Sequence, residues 1–115
     1  LPNPLPPNLQ RLDCCGWTIL ASLPDPLPPT LQELYSSVCT NLASLPDSLP
    51  PTLQRLNCRR CSRLASLPDP LPPTLQRLDC RGCTRLQTIP ELPASLQIFE
   101  FEGCTSLQNP PEWPR

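Results

Sequence analysis

A phrase of 22 residues recurs along this chain of 115 residues, and it constrains the fold more than any other feature. A unit of this length cannot bury its own apolar face, so neighbouring repeats must stack on one another. The sequence therefore predicts a single domain, an open solenoid over residues 1–109 followed by a capping tail at 110–115. Its repeats, numbered 1 to 5 with internal positions counted from 1, cover residues 1–22, 23–44, 45–66, 67–88 and 89–109.

Leucine-type residues recur at positions 1, 5, 9, 12 and 20 of the repeat. Around position 12 of repeat 3, Leu56 and Cys58 alternate with Arg55 and Asn57, which is typical of a short half-buried strand. The proline-rich stretch 45–51 cannot be helical, because proline lacks an amide donor and pushes its predecessor into an extended conformation. We predict five parallel strands in register, with proline-rich returns of polyproline or 3-10 type and inward-facing leucines forming the opposite wall.

The motif LxxLxCxxCxxLxxLP covers Leu53 to Pro68 and recurs from Leu75 to Pro90 with Ile89 in its last leucine place. In this motif, repeated in phase over residues 1–109, the chain resembles the leucine-rich-repeat family. The phrase LPxxLPPTLQ is most similar to LPX-type repeats of bacterial effectors delivered into host cells, whereas the ending CxxLxxLP resembles plant immune-receptor repeats. The resemblance implies a right-handed horseshoe with its strands on the concave face, and a substrate-recognition or partner-binding role within a larger effector or immune receptor.

Eight cysteines fall mainly at positions 14 and 17. The CxxC pairs at 58–61 and 80–83 formally match a four-thiolate zinc pattern, but Trp17 and Ser36 occupy equivalent places, so we predict no metal and no cofactor. Stacked strands about 5 Å apart would bring thiols within disulfide reach, yet side chains in register point the same way. We predict buried reduced thiols that donate to carbonyl groups of the adjoining turn, a cytoplasmic location, and a solvent-exposed Cys15.

The formal net charge is −1, and all nine basic residues are arginine. Seven of them lie in repeats 3 and 4, in or just after the predicted strands. Arginine offers a planar fork for carboxylates and is enriched at protein interfaces. The alternative is that these arginines are solvated side chains that keep the sheet face soluble.

Comparison between repeats separates constant positions, such as 9, 12 and 20, from positions 11, 13, 15 and 16, which vary in charge and size. We predict that the variable positions face outward and bind a protein with a charged, partly acidic patch. Nucleic acid is not expected, because Glu100 and Glu102 would repel phosphate. The candidate partner-binding residues are Arg11, Asp13, Glu33, Tyr35, Arg55, Asn57, Arg59, Arg60, Arg77, Asp79, Arg81, Ile98, Glu100 and Glu102.

The chain contains no histidine, so it has no Cys-His or Ser-His pair, and we predict that it is not an enzyme. It also shows no membrane-spanning segment. At the ends of the solenoid, we expect Trp17 to plug repeat 1 and Trp113 to cover the last repeat, while the uncapped N-terminal edge permits self-association.

A second interpretation is a structural or engineered repeat scaffold without a natural ligand. The near-identity of repeats 3 and 4 favours it, and the divergent stretch 33–38 speaks against it.

Overall fold

The computed structural model describes residues 5–24 and 27–108, and these form a β-solenoid. One short strand belongs to each repeat, and the strands pair in chain order in a single parallel sheet. The register matches equivalent positions, so that Arg11 faces Glu33 and Leu34 faces Leu56. The described residues contain no helix. The predicted solenoid of five parallel strands in register is thus confirmed, with strands β1 (Arg11–Asp13), β2 (Glu33–Tyr35), β3 (Arg55–Asn57), β4 (Arg77–Asp79) and β5 (Ile98–Glu100).

Columns of leucine fill the interior. The central residue of each strand points inward, and Leu34, Leu56 and Leu78 are at most 1% exposed. Burying a leucine side chain contributes about 1.5–3 kcal/mol, so these columns supply the main driving force for stacking. The leucines at positions 1, 5, 9 and 20 of repeats 2, 3 and 4 are buried as predicted: Leu23, Leu27, Leu31, Leu42, Leu45, Leu49, Leu53, Leu64, Leu67, Leu71, Leu75 and Leu86.

The returns consist of tight turns rather than the helical segments that a 3-10 return would require. In repeat 3, the amide of Leu53 donates to the carbonyl of Pro50 at 3.1 Å, around Pro51. Proline suits this second place of a turn because its φ is fixed near the required value. After the strand, the amides of Cys61 and Leu64 each donate to the carbonyl three residues earlier, at 3.2 and 3.1 Å.

A column of hydroxyl groups at position 8 ties each repeat to the one before it. The Thr52 hydroxyl lies 2.8 Å from the carbonyl oxygens of both Pro29 and Leu31, so its proton is shared between them. Thr30, Thr74 and Ser95 make the equivalent pair of contacts. This column was not predicted from the sequence.

A second column, of thiols at position 17, lies on the other side of the strand. The Cys61 thiol donates to the carbonyl of Ser36 at 3.0 Å, and the same bond to position 14 of the preceding repeat recurs for Cys39, Cys83 and Cys104. Burial raises the pKa of Cys61 to about 12. The predicted thiol-to-carbonyl ladder is confirmed; all eight cysteines are free, and Cys15 alone among them is exposed.

Two tryptophans were predicted to close the ends of the solenoid, Trp17 in repeat 1 and Trp113 at the last repeat. Trp17 occupies the column where the other repeats carry a thiol, and it is 36% exposed rather than an internal plug, so that prediction is wrong. Trp113 and the tail 110–115 lie outside the described residues. Within residues 5–24 and 27–108, no apolar helix of membrane-spanning length is found.

The hydroxyl column predicts a measurable cost for Thr52→Val. The substitution keeps the size and branching of the side chain but leaves two carbonyl oxygens without their donor, so we expect a loss of about 1–2 kcal/mol in unfolding free energy. Thr84→Val is the matched control, since the exposed Thr84 hydroxyl donates no hydrogen bond in the described structure. Urea unfolding measures both, and equal stability of the two variants would contradict a structural role for this column.

Candidate functional site

Side chains at positions 11, 13, 15 and 16 form a surface on the side of the sheet opposite the leucine core, here called the variable face. In each strand the outer two residues flank a buried central residue. All fourteen predicted partner-binding residues lie on this face, and thirteen of them are exposed or half-buried. Asp79 is the exception: it lies on this face but is only 3% exposed, so it is not the exposed side chain that was predicted.

Three side chains at position 13 help to build the turn that follows their own strand. In each case a side-chain oxygen accepts a hydrogen bond from the amide two residues later, which is the geometry of an Asx turn. Sequence reasoning assigned these residues to recognition and missed this role, although Asp or Asn at the strand end was the available signal. The bonds join Asp13 to Cys15 at 3.1 Å, Asn57 to Arg59 at 3.0 Å and Asp79 to Arg81 at 3.2 Å.

Asp79 is buried because Arg81 covers it. The Arg81 guanidinium donates from Nε to Oδ1 at 3.0 Å and from Nη2 to Oδ2 at 2.8 Å, a bidentate pair. Burial by itself raises the pKa of Asp79, but the hydrogen bonds from Arg81 outweigh burial and hold that pKa below its usual value. Glu100 extends the cluster, with ion pairs to Arg81 at 3.4 Å and to Arg77 at 3.2 Å. Arg81 therefore stabilises this face by pairing with Asp79 and Glu100.

Tyr35 is held in place from two directions. The guanidinium carbon of Arg11 lies 4.8 Å from the centre of its ring, in a cation–π contact. Its hydroxyl donates to a carboxylate oxygen of Glu33, and the Arg55 side chain also interacts with that hydroxyl. Burial and the bond to Glu33 raise the pKa of Tyr35. The ring is thus fixed between the first and third strands.

Position 16 requires a left-handed backbone, with φ between 59° and 80° in all five repeats. Glycine occupies it in three repeats, whereas Val38 and Arg60 adopt this conformation at a steric cost. A side chain on Gly82 would place its Cβ 3.0 Å from Cγ of Arg60, so the stem of Arg60 lies across this glycine. The glycines at position 16 were the sequence signal for this turn.

The arginines concentrate positive charge in the middle of the variable face. Repeat 3 places Arg55, Arg59 and Arg60 on this face, and its single acid, Asp47, lies in the proline-rich return. In the described part of the chain, none of these three arginines forms an ion pair within 4.0 Å. Repeats 2 and 5, which flank the arginine-rich repeats 3 and 4, contain acidic residues and no arginine. The face is therefore positive at its centre and acidic beyond it.

The described residues contain no group of three or more ligand side chains arranged to hold a metal ion. A scan of known protein families finds no match to this chain, and a search of curated proteins finds no similar sequence. The resemblance to leucine-rich repeats therefore depends on the repeated motif alone, and function has to be argued from the geometry of the variable face.

The ion pair between Asp79 and Arg81 predicts a pH-dependent stability. Asp79→Asn removes the charge but keeps the oxygen that caps the turn, as Asn57 does in repeat 3. Because the folded pKa of Asp79 lies below its unfolded value, the pair stabilises the protein at neutral pH, by about 2 kcal/mol.

This advantage over Asp79→Asn should begin to decrease as the pH falls below about 4, where Asp79 of the unfolded chain takes up a proton. It should be lost once the pH falls below the lower pKa of Asp79 in the folded protein. Urea unfolding of both proteins over a pH series measures it. A difference between the two proteins that stays constant down to acid pH would show that the charge of Asp79 contributes nothing.

Proposed function

We propose that this chain is a protein-binding module that recognises an acidic patch on a partner protein through its variable face. The proposal includes the predicted leucine-rich-repeat character and a role as the recognition part of a larger effector or immune receptor. The observation that carries it is the group of exposed arginines without acidic partners at the centre of a rigid face.

Rigidity and charge together support a binding role. Strand backbones fix the variable side chains, and a surface that is already ordered loses less entropy on association. Free arginines surrounded by acidic repeats favour a partner of complementary charge pattern and penalise partners of the wrong pattern. Eight free cysteines, seven of them buried, favour action in a reducing compartment, and we include a cytoplasmic location in the proposal.

The ion pairs on the variable face decide which arginines should be substituted. Arg81 is engaged by Asp79 and Glu100, so its substitution would disturb the face itself. Arg59 and Arg60 are exposed and make no ion pair in the described structure, so Arg59→Glu/Arg60→Glu reverses charge on the face alone. Arg63→Glu/Arg85→Glu is the matched control, since both residues are exposed at position 19, away from the strands.

A displayed library of folded protein fragments is selected against the wild-type chain, and the affinity of each captured fragment is measured for all three proteins. We expect the captured fragments to be rich in Asp and Glu. They should bind Arg59→Glu/Arg60→Glu at least about tenfold more weakly than wild type, a difference of about 1.4 kcal/mol in binding free energy. Binding to the control should be unchanged. The proposal fails if no fragment is captured, or if both double variants bind like wild type or lose affinity equally.

A further inference from the structure

A small pocket opens at the centre of the variable face, among the middle three strands. Its volume is about 160 Å³. Drug-sized ligands occupy pockets of about 300–1,000 Å³, so this one has room for a single side chain. The pocket is lined by Tyr35, Arg55, Leu56, Asn57, Arg77 and Asp79.

Two arginines line this pocket. Arg55 and Arg77 are register partners on β3 and β4, so two like charges stand side by side. Such a pair is unfavourable on adjacent strands unless an anion lies between the two groups. Arg77 has one ion pair, to Glu100, whereas Arg55 has none within the described residues. The walls therefore provide guanidinium donors that the chain itself does not fully use.

The carboxylate in the pocket wall does not oppose an incoming anion. Asp79 is neutralised by the bidentate contact with Arg81, which turns its oxygens toward that guanidinium. Tyr35 on the far side is fixed by Arg11 and by its bond to Glu33, so the pocket is already formed.

From this geometry we infer that the pocket between Arg55 and Arg77 receives the carboxylate of an Asp or Glu side chain from the partner protein. The inference rests on the proposed function and specifies the group that anchors the partner. A carboxylate matches the planar fork of arginine and can bond to it through both oxygens. Phosphate carries more charge, and the nearby carboxylates of Glu33 and Glu100 would repel it more strongly.

The test uses short peptides and NMR spectroscopy of the intact chain. Acetyl-Gly-Glu-Gly-amide is titrated while the side-chain Nε–H signals of the arginines are followed, with acetyl-Gly-Gln-Gly-amide and inorganic phosphate as comparison ligands. We expect saturable shifts of the Arg55 and Arg77 signals with the glutamate peptide, at a dissociation constant on the order of 1 mM. The glutamine peptide should bind with an affinity at least about tenfold lower than that of the glutamate peptide. Phosphate should also bind more weakly than the glutamate peptide.

Two variants test the assignment of the site. Arg55→Gln should weaken binding of the glutamate peptide at least about tenfold, while Arg63→Gln, the same change at an exposed position away from the strands, should leave it unchanged. Unchanged backbone spectra confirm that both variants are folded. Equal binding of the glutamine peptide, tighter binding of phosphate, no saturable shift, or full binding to Arg55→Gln would overturn the inference.

These outcomes are separable from a failure of the proposed function. If captured protein fragments depend on Arg59 and Arg60 but the glutamate peptide does not bind, the face binds protein without this anchor. If the peptide binds but no fragment is captured, the pocket is real and the larger proposal is wrong.

Discussion

The whole structure depends on hydrogen bonds that each repeat donates, from side chains, to the main chain of the repeat before it. Thiols at position 17 bond to a carbonyl at position 14, and hydroxyls at position 8 bond to carbonyls at positions 7 and 9. A buried carbonyl without a donor would cost about 1–3 kcal/mol. Together with the backbone hydrogen bonds between strands, the two columns hold each repeat in register, while the leucine columns provide most of the energy for stacking.

This register produces the variable face. Side chains at equivalent positions of successive repeats lie next to one another in rows. A substitution in one repeat therefore alters one place in a row without moving the others. Part of that surface is needed to form the turn after each strand. Side chains at position 13 accept hydrogen bonds from backbone amides of the turn, and the residue at position 16 must adopt a left-handed backbone. The groups that remain without an ion pair are chiefly Arg55, Arg59 and Arg60. They lie near Arg77, which has one ion pair, and near a fixed Tyr35.

The repeat period and the leucine columns were enough to predict the parallel sheet, its register and the inward thiols, because these follow from one pattern repeated in phase. The burial of Asp79 could not be predicted in this way. It depends on how Arg81 folds back over its own strand and on Glu100 in the next repeat, and both are side-chain arrangements in three dimensions. The partial exposure of Trp17 was likewise not revealed by its alternation with cysteine at position 17.

Counting reactive thiols in the native protein tests the stacking most directly. A chromogenic aromatic disulfide should modify Cys15 rapidly, and the other seven thiols should react only after denaturation, since they lie within the solenoid. The hydrogen bond with the neighbouring Cys83 thiol and burial also raise the pKa of Cys58 and suppress its reactive thiolate. Rapid modification of several thiols in the folded protein would contradict the account, because the ladder that joins the repeats would then be open to solvent.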